Sequence, residues 1–387
     1  MDKVLIPATG KRWPHPADAP AAAGDGRREG GAQQPRTGSL ALLHQALDEA
    51  LAYGPAFDGA MSNHLPMALH AAWDMGADAR RLQALVEHER PKLAPAGAAT
   101  EAQAASARRA ALRRVEGAAG ADEWLLHRGH PESHPWLQAY FATLLALRPA
   151  AQVLGAHLES LLRSPHAFAF HGLIRTAHAW ESAHAGELAA ALATWAAWWE
   201  LLPAGRPDGE SMAPPDWAQA LRSRTQGWRS ELPMIIYRMR SAAETPLYAD
   251  LAERLAPVPG LAERREQLLA VAREAYLHSR NFTVLHLITG LRGLRVLLPL
   301  LPASVDQQAL VAALDRAAVA GWMAGRLQWQ DEVPLPAPAA WPVLHRAALA
   351  QDDEHVIKGV HACWQEDVRA PDPRWRQTAQ RMLEGRA

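Results

Sequence analysis

From Ser39 onward the apolar positions of this chain recur at helical spacing, with Ala and Leu dominant and few β-branched runs. The segment "SLALLHQALDEALAYG" offers Ser39 as an N-cap and closes on Gly54, which predicts one well-bounded helix. Further helices are predicted at "LPMALHAAWDMG", ending at Gly76, at "PWLQAYFATLLALRPAAQVLGAHLESLL" and at "GELAAALATWAAWWELL". The stretch "FTVLHLITGLRGLRVLLPLL", residues 282–301, is the most apolar. His286, Arg292 and Arg295 interrupt it, so it reads as a core helix and not a membrane span. Pro, Gly and Asp clusters at residues 202–217 and 330–342 mark the longest loops. No solenoid-like period repeats along the chain. The expected fold is all-α, a single large irregular multi-helix domain over residues 39–387.

Composition changes the picture at the N-terminus. Residues 1–38 are rich in Pro, Ala, Gly and Arg and poor in large apolar side chains, so a disordered arm is expected there. The 387 residues are 49% hydrophobic, enough for a large core. Lys and Arg number 40 against 41 Asp and Glu, which leaves no basic footprint for nucleic acid and no field toward anionic lipid. The one cysteine, Cys363, excludes an intrachain disulfide and a Cys-rich zinc module. That usage fits a reducing compartment, and the short apolar run at the N-terminus is too small for a signal peptide. A cytoplasmic protein with no membrane partner is expected. Nothing in the sequence sets the oligomeric state.

The anomaly is histidine, of which there are 18 on largely apolar segments. Glycine-rich dinucleotide or phosphate loops, G-x-S-x-G, H-E-x-x-H and EF-hand patterns are all missing. His64 stands at the mouth of a helix that Asn63 would cap and Pro66 would open. His171 and His178 lie about 20° apart on one helical face, with Arg175 between them. His286 is embedded among Val284, Leu285, Leu287 and Ile288, which implies burial. In "QDDEHVIKGVHAC" steps of three residues put Lys358 within about 60° of His355 and of His361 in turn. Asp352 is the expected N-cap of that helix and Glu354 points about 100° away from the His355 face. Each histidine alone is more commonly a hydrogen-bonded core residue, and Lys358 alone a surface partner of Glu354. The case for a site rests on several acting together.

These same segments carry a resemblance. "AYGPAFDGAMSNHLPMALHAAWDMGA", "FHGLIRTAHAWES", "LHLITG" and "DDEHVIKGVHAC" resemble the successive signature segments of the questin oxidase family, from about Leu40 to Trp364. The resemblance implies an all-helical oxygenase acting with O2 on polycyclic, polyketide-derived aromatics such as anthraquinones, by oxidative ring cleavage or Baeyer–Villiger-like oxygen insertion. It further implies a non-haem Fe(II) held by His64, His171, His286 and His355, with Lys358 carboxylated as a further ligand. Members often have a second histidine where this chain has Arg175, which leaves His178 open as its substitute.

Chemistry gives Lys358 a separate rationale. Mononuclear non-haem iron takes an anionic oxygen ligand beside its imidazoles. A desolvated lysine exposes the neutral amine that adds carbon dioxide to become a carbamate. Asp352 is the other carboxylate within three residues of His355. Arg175 is read either as the binder of a phenolate or quinone oxygen or as an ion-pair partner of Glu181 or of another helix. Trp73, Phe168, Phe170 and Trp180 are candidates for an aromatic pocket. NADPH or reduced flavin would serve as a diffusible reductant. Two other classes remain: a metal-dependent hydrolase using the same histidines and carbamate, and a non-catalytic helical binding protein.

Overall fold

Helical periodicity becomes helix along the chain. The computed structural model describes residues 39–384 except 59–60, 207–208 and 336, and the arm expected over residues 1–38 lies outside the described residues. The α-helices described are α1 (Leu40–Ala50), α2 (Leu65–Asp74), α3 (Ala79–Glu89), α4 (Glu101–Glu116), α5 (His134–Leu147) and α6 (Ala150–Leu162). They continue as α7 (His171–Glu181), α8 (Ala185–Ala197), α9 (Pro214–Thr225), α10 (Ile235–Ala243), α11 (Pro246–Leu251) and α12 (Leu261–Ser279). The last are α13 (Phe282–Leu297), α14 (Gln307–Gly325), α15 (Trp341–Leu349), α16 (Glu354–Arg369) and α17 (Pro373–Leu383). The strands β1 (Ala56–Phe57) and β2 (Met61–Ser62) pair antiparallel, Ala56 opposite Ser62. The fold is all-α.

Boundaries differ from the sequence expectation where local chemistry intervenes. The long helix expected to run through Leu162 is two, α5 and α6, because Pro149 bars helical geometry at Arg148, which is extended at φ −133° and ψ 151°. Helix α1 stops at Ala50, short of Gly54, whose N–H donates instead to the Ala94 carbonyl at 2.8 Å. Ser39 precedes α1 in extended conformation but makes no side-chain cap. Pro214 opens α9 within the stretch expected to be loop.

One contiguous apolar core reaches from Leu43 to Met382. Helix α13 is buried at every position from Thr283 to Leu294, as a core helix requires. It packs on α7 and α16, and α2 packs on the same two helices, so α2, α7, α13 and α16 close a ring. Gly293 permits the close approach of α13 to α7: a Cβ there would sit 3.3 Å from the Ala177 Cβ and 3.4 Å from the Leu173 carbonyl oxygen. Residues near the starts of all four helices touch one another, and so do residues six or seven positions later. The four helices therefore run in the same direction.

Candidate metal centre

The helix starts define the site. His64 is the N-cap of α2, His171 the first residue of α7, His286 the fifth of α13 and His355 the second of α16. The rings of His64 and His171 stack at 4.5 Å between centroids, His64 meets His355 edge-on at 4.3 Å, and His286 lies 4.9 Å from His171 and 5.3 Å from His355. All four are buried, and one nitrogen from each lies within 4.8 Å of the others. Backbone geometry is special on the approach to α7: Phe168, Ala169 and Phe170 have φ of 55°, 54° and 69°, the left-handed region, which is costly for residues with a Cβ. That turn carries the Phe168 carbonyl to the Nδ1 of His171, 2.6 Å away.

The polar contacts form a proton count that constrains the chemistry. His171 donates from Nδ1 to the Phe168 carbonyl, and His286 donates from Nδ1 to the Phe282 carbonyl at 2.8 Å. A neutral imidazole so anchored keeps its lone pair on Nε2. The Nε2 of His64 lies 2.7 Å from the Nε2 of His171, while its Nδ1 lies 3.0 Å from Glu354 Oε1. To satisfy both contacts His64 must carry two protons, or Glu354 one; a cation held by the two Nε2 atoms removes the need for the extra proton. The Nδ1 anchors are the outer partners that metal-bound histidines use to fix their orientation. The four residues therefore fit a metal.

Electrostatics favour neutral rings. Burial, reinforced by the positive charges of neighbouring groups including Lys358, holds His171 and His355 well below the ordinary histidine pKa. The positive ends of four helix dipoles converge here as well, so a cation at this point needs compensating anions. Glu354 and Asp353 supply two; Asp353 Oδ1 lies 3.3 Å from His355 Nδ1. Asp353, and not Asp352, caps α16, its Oδ1 accepting the His355 N–H at 2.9 Å. Asp352 instead pairs with Arg81 at 2.9 Å and has a half-exposed side chain, so it is not a carboxylate of this cluster.

Beside the histidines opens a cleft of about 360 Å³. Its walls include Phe57, Phe168, Met234, Ile236 and Phe282, and all four histidines and Glu354 line it as well. Arg238 is the cation of the wall, its Nε donating to the Ala324 carbonyl at 2.9 Å and its Nη1 to the Pro233 carbonyl at 2.7 Å. Of the expected aromatic residues Phe168 lines the cleft. Phe170 instead packs against Gly290 and Gly321, and Trp73 and Trp180 are buried in the apolar core.

Lys358 is 2% exposed, which rules out a surface lysine. Its charge acts on His171 and His355 and also on His178. Arg175 does not reach the cleft. Glu187 holds its guanidinium through two bonds, from Nε at 2.6 Å and from Nη2 at 2.8 Å, and Glu181 pairs with Arg292 instead. The pair corrects the reading of Arg175 as a substrate binder and agrees with that of an ion pair to another helix, the partner being Glu187 of α8 and not Glu181. His178 is likewise separate from the four: its Nδ1 faces the Nδ1 of His70 at 2.9 Å. Sequence reasoning missed Glu354 and Arg238. The wheel angle that turned Glu354 away from His355 said nothing of His64, which arrives from a helix 290 residues earlier.

The family model described as questin oxidase-like matches residues 61–246 of this chain. His64 and His171 fall inside that span; His286, His355 and Lys358 lie beyond it. No curated protein matches the chain.

Proposed function

Over residues 61–246 this chain belongs to the questin oxidase-like family, and from that premise we propose that it is a non-haem iron oxygenase acting on a polycyclic aromatic. The substrate class is an anthraquinone or related polyketide-derived phenol or quinone, and the outcome is oxidative ring cleavage or Baeyer–Villiger-like oxygen insertion. The convergence of four buried histidines, each with one nitrogen within 4.8 Å of the others, carries the reading, and the proton count at His64 and His171 supports it because a cation relieves it without an extra proton. Fe(II) held by His64, His171, His286 and His355, with an oxygen from carboxylated Lys358, would supply the activation of O2.

The chain's own residues account for the rest. Phe168 and Phe282 present apolar faces to a flat aromatic, and a cleft of about 360 Å³ is within the ordinary size of small-molecule pockets. Arg238, fixed by backbone carbonyls, stabilises a phenolate at the cleft wall. Glu354 holds the proton at His64 Nδ1, and the Phe168 and Phe282 carbonyls hold those of His171 and His286, which leaves the Nε2 of these three histidines as the metal-binding nitrogen. As an ammonium Lys358 would oppose a cation placed among these histidines; carboxylation reverses its sign. NADPH or a reduced flavin arrives as a diffusible reductant, in a cytoplasmic setting that suits the buried thiol of Cys363. The contiguous core favours residues 39–387 as one domain.

The test is metal analysis paired with oxygen consumption. Protein purified without chelator should hold iron and take up O2 when given a hydroxylated anthraquinone with reductant. His64→Ala, His171→Ala, His286→Ala and His355→Ala should each lose the metal, and Lys358→Met should retain it more weakly, with no response to bicarbonate. Zinc without oxygen uptake would establish the hydrolase reading, and no stoichiometric metal the binding-protein reading. The native metal stoichiometry retained in all four histidine variants sinks the site.

A further inference from the structure

The four helices that carry the histidine cluster carry a second layer of polar residues deeper in the ring. Six or seven positions after His64, His171, His286 and His355 come His70, His178, Arg292 and His361. At about 1.5 Å of rise per residue the second layer lies roughly 9–10 Å further along the helices. Its rings are in mutual contact: His70 is 5.1 Å from His178 and 5.8 Å from His361, and His178 is 5.5 Å from His361. All three are buried, His361 completely. Neither the substrate cleft nor the proton count at His64 involves any of them.

Three features give this layer the make-up of a ligand set. His70, His178 and Glu181 each place one ligand atom within 4.8 Å of the others, and His178 and Glu181 are three residues apart on one face of α7. Two imidazoles and a carboxylate are a donor set that borderline divalent cations favour. His361 is arranged as metal-bound histidines are: its Nε2 donates to Asp74 Oδ2 at 3.0 Å, and its buried Nδ1 has no hydrogen-bond partner. Arg292 Nη2 lies 2.6 Å from Glu181 Oε2, and a carboxylate has lone pairs for this orienting contact and a ligand bond together. Asp74 and Glu181 offset the charges of Arg292 and Lys358, both of which act on His178.

We propose that His70, His178 and Glu181, backed by His361, form a second metal site that binds a divalent cation of the Zn(II), Fe(II) or Co(II) class. It is a site of its own and stands whether or not the first layer holds iron. The neutral rings and the inner position suit a permanently held ion that ties α2, α7 and α16 together.

Full-length protein stripped with chelator and titrated with Co(II), followed by elemental analysis and the visible spectrum, tests this. The native chain should take up about two equivalents. His70→Ala/His178→Ala should lose one and keep the other, while His64→Ala/His171→Ala should lose the complementary one. Glu181→Gln, which preserves size, should weaken the second equivalent and reduce the rise in Tm that Co(II) gives the native protein. Saturation at a single equivalent that His64→Ala/His171→Ala abolishes and Glu181→Gln leaves untouched overturns the second site. A single equivalent lost with Glu181→Gln but kept in the His64/His171 variant supports it and overturns the first site instead. No uptake of Co(II) at all overturns both.

Discussion

Arg175 shows how a buried charge takes its role from what surrounds it. The side chain is 3% exposed and Glu187 2%, so neither can be left ionised and alone, and the two-bond pair between them is the solution the fold adopts. Replacing Glu187 with alanine should destabilise the protein by about 3–5 kcal/mol in urea unfolding, since it strands a buried cation. Glu187→Gln, which keeps acceptor and donor atoms, should cost less. Neither variant should change metal content, because the pair lies away from the cleft; metal loss in a folded Glu187→Gln protein would place Arg175 in the site after all. Lys358 is the contrasting case, a buried lysine that follows His355 by three residues on α16, and that contrast is why its chemical state matters more than its position.

At the scale of elements, the candidate centre depends on four helices entering a ring with their starts at one end. Gly172, directly after His171, sets the spacing of α7 and α8: a Cβ there would lie 2.7 Å from Trp195 Cγ and 2.9 Å from the Trp195 Cα, which is backbone and cannot rotate aside. Gly172→Ala should therefore push the two helices apart and lower stability by about 1–3 kcal/mol. Because the displaced turn also holds His171 Nδ1 to the Phe168 carbonyl, metal retention should fall together with Tm. A Gly172→Ala protein with normal Tm would mean that α8 yields without strain.

For the molecule as a whole, buried neutral histidines make stability depend on pH. Burial lowers His134 to about 3, His157 to about 4 and His166 to about 3, all far below the unfolded value of 6.5. The unfolded chain binds protons in that interval and the folded chain refuses them, so stability is full above pH 6.5 and falls as the pH drops toward 4. Each such histidine contributes a slope approaching 1.4 kcal/mol per pH unit. Urea midpoints measured across this range should fall steadily; a flat profile would show these rings to be solvated. The all-helical class, the buried run of α13 and the choice of His64, His171, His286 and His355 as one candidate set were legible in the amino-acid sequence, because apolar periodicity and residue type are local properties. Resemblance, and not spacing, grouped the four. What only the tertiary structure decided is who meets whom: Glu354 and His64, Arg175 and Glu187, Asp353 in place of Asp352 as the cap, and the second layer around His70 and His361. The six- and seven-residue spacings behind that layer were present in the sequence, but spacing within a helix shows only that two side chains share a face. Which faces close on one another follows from the packing of apolar surfaces brought together from distant parts of the chain, and that packing turned scattered histidines into two compact sets of donors.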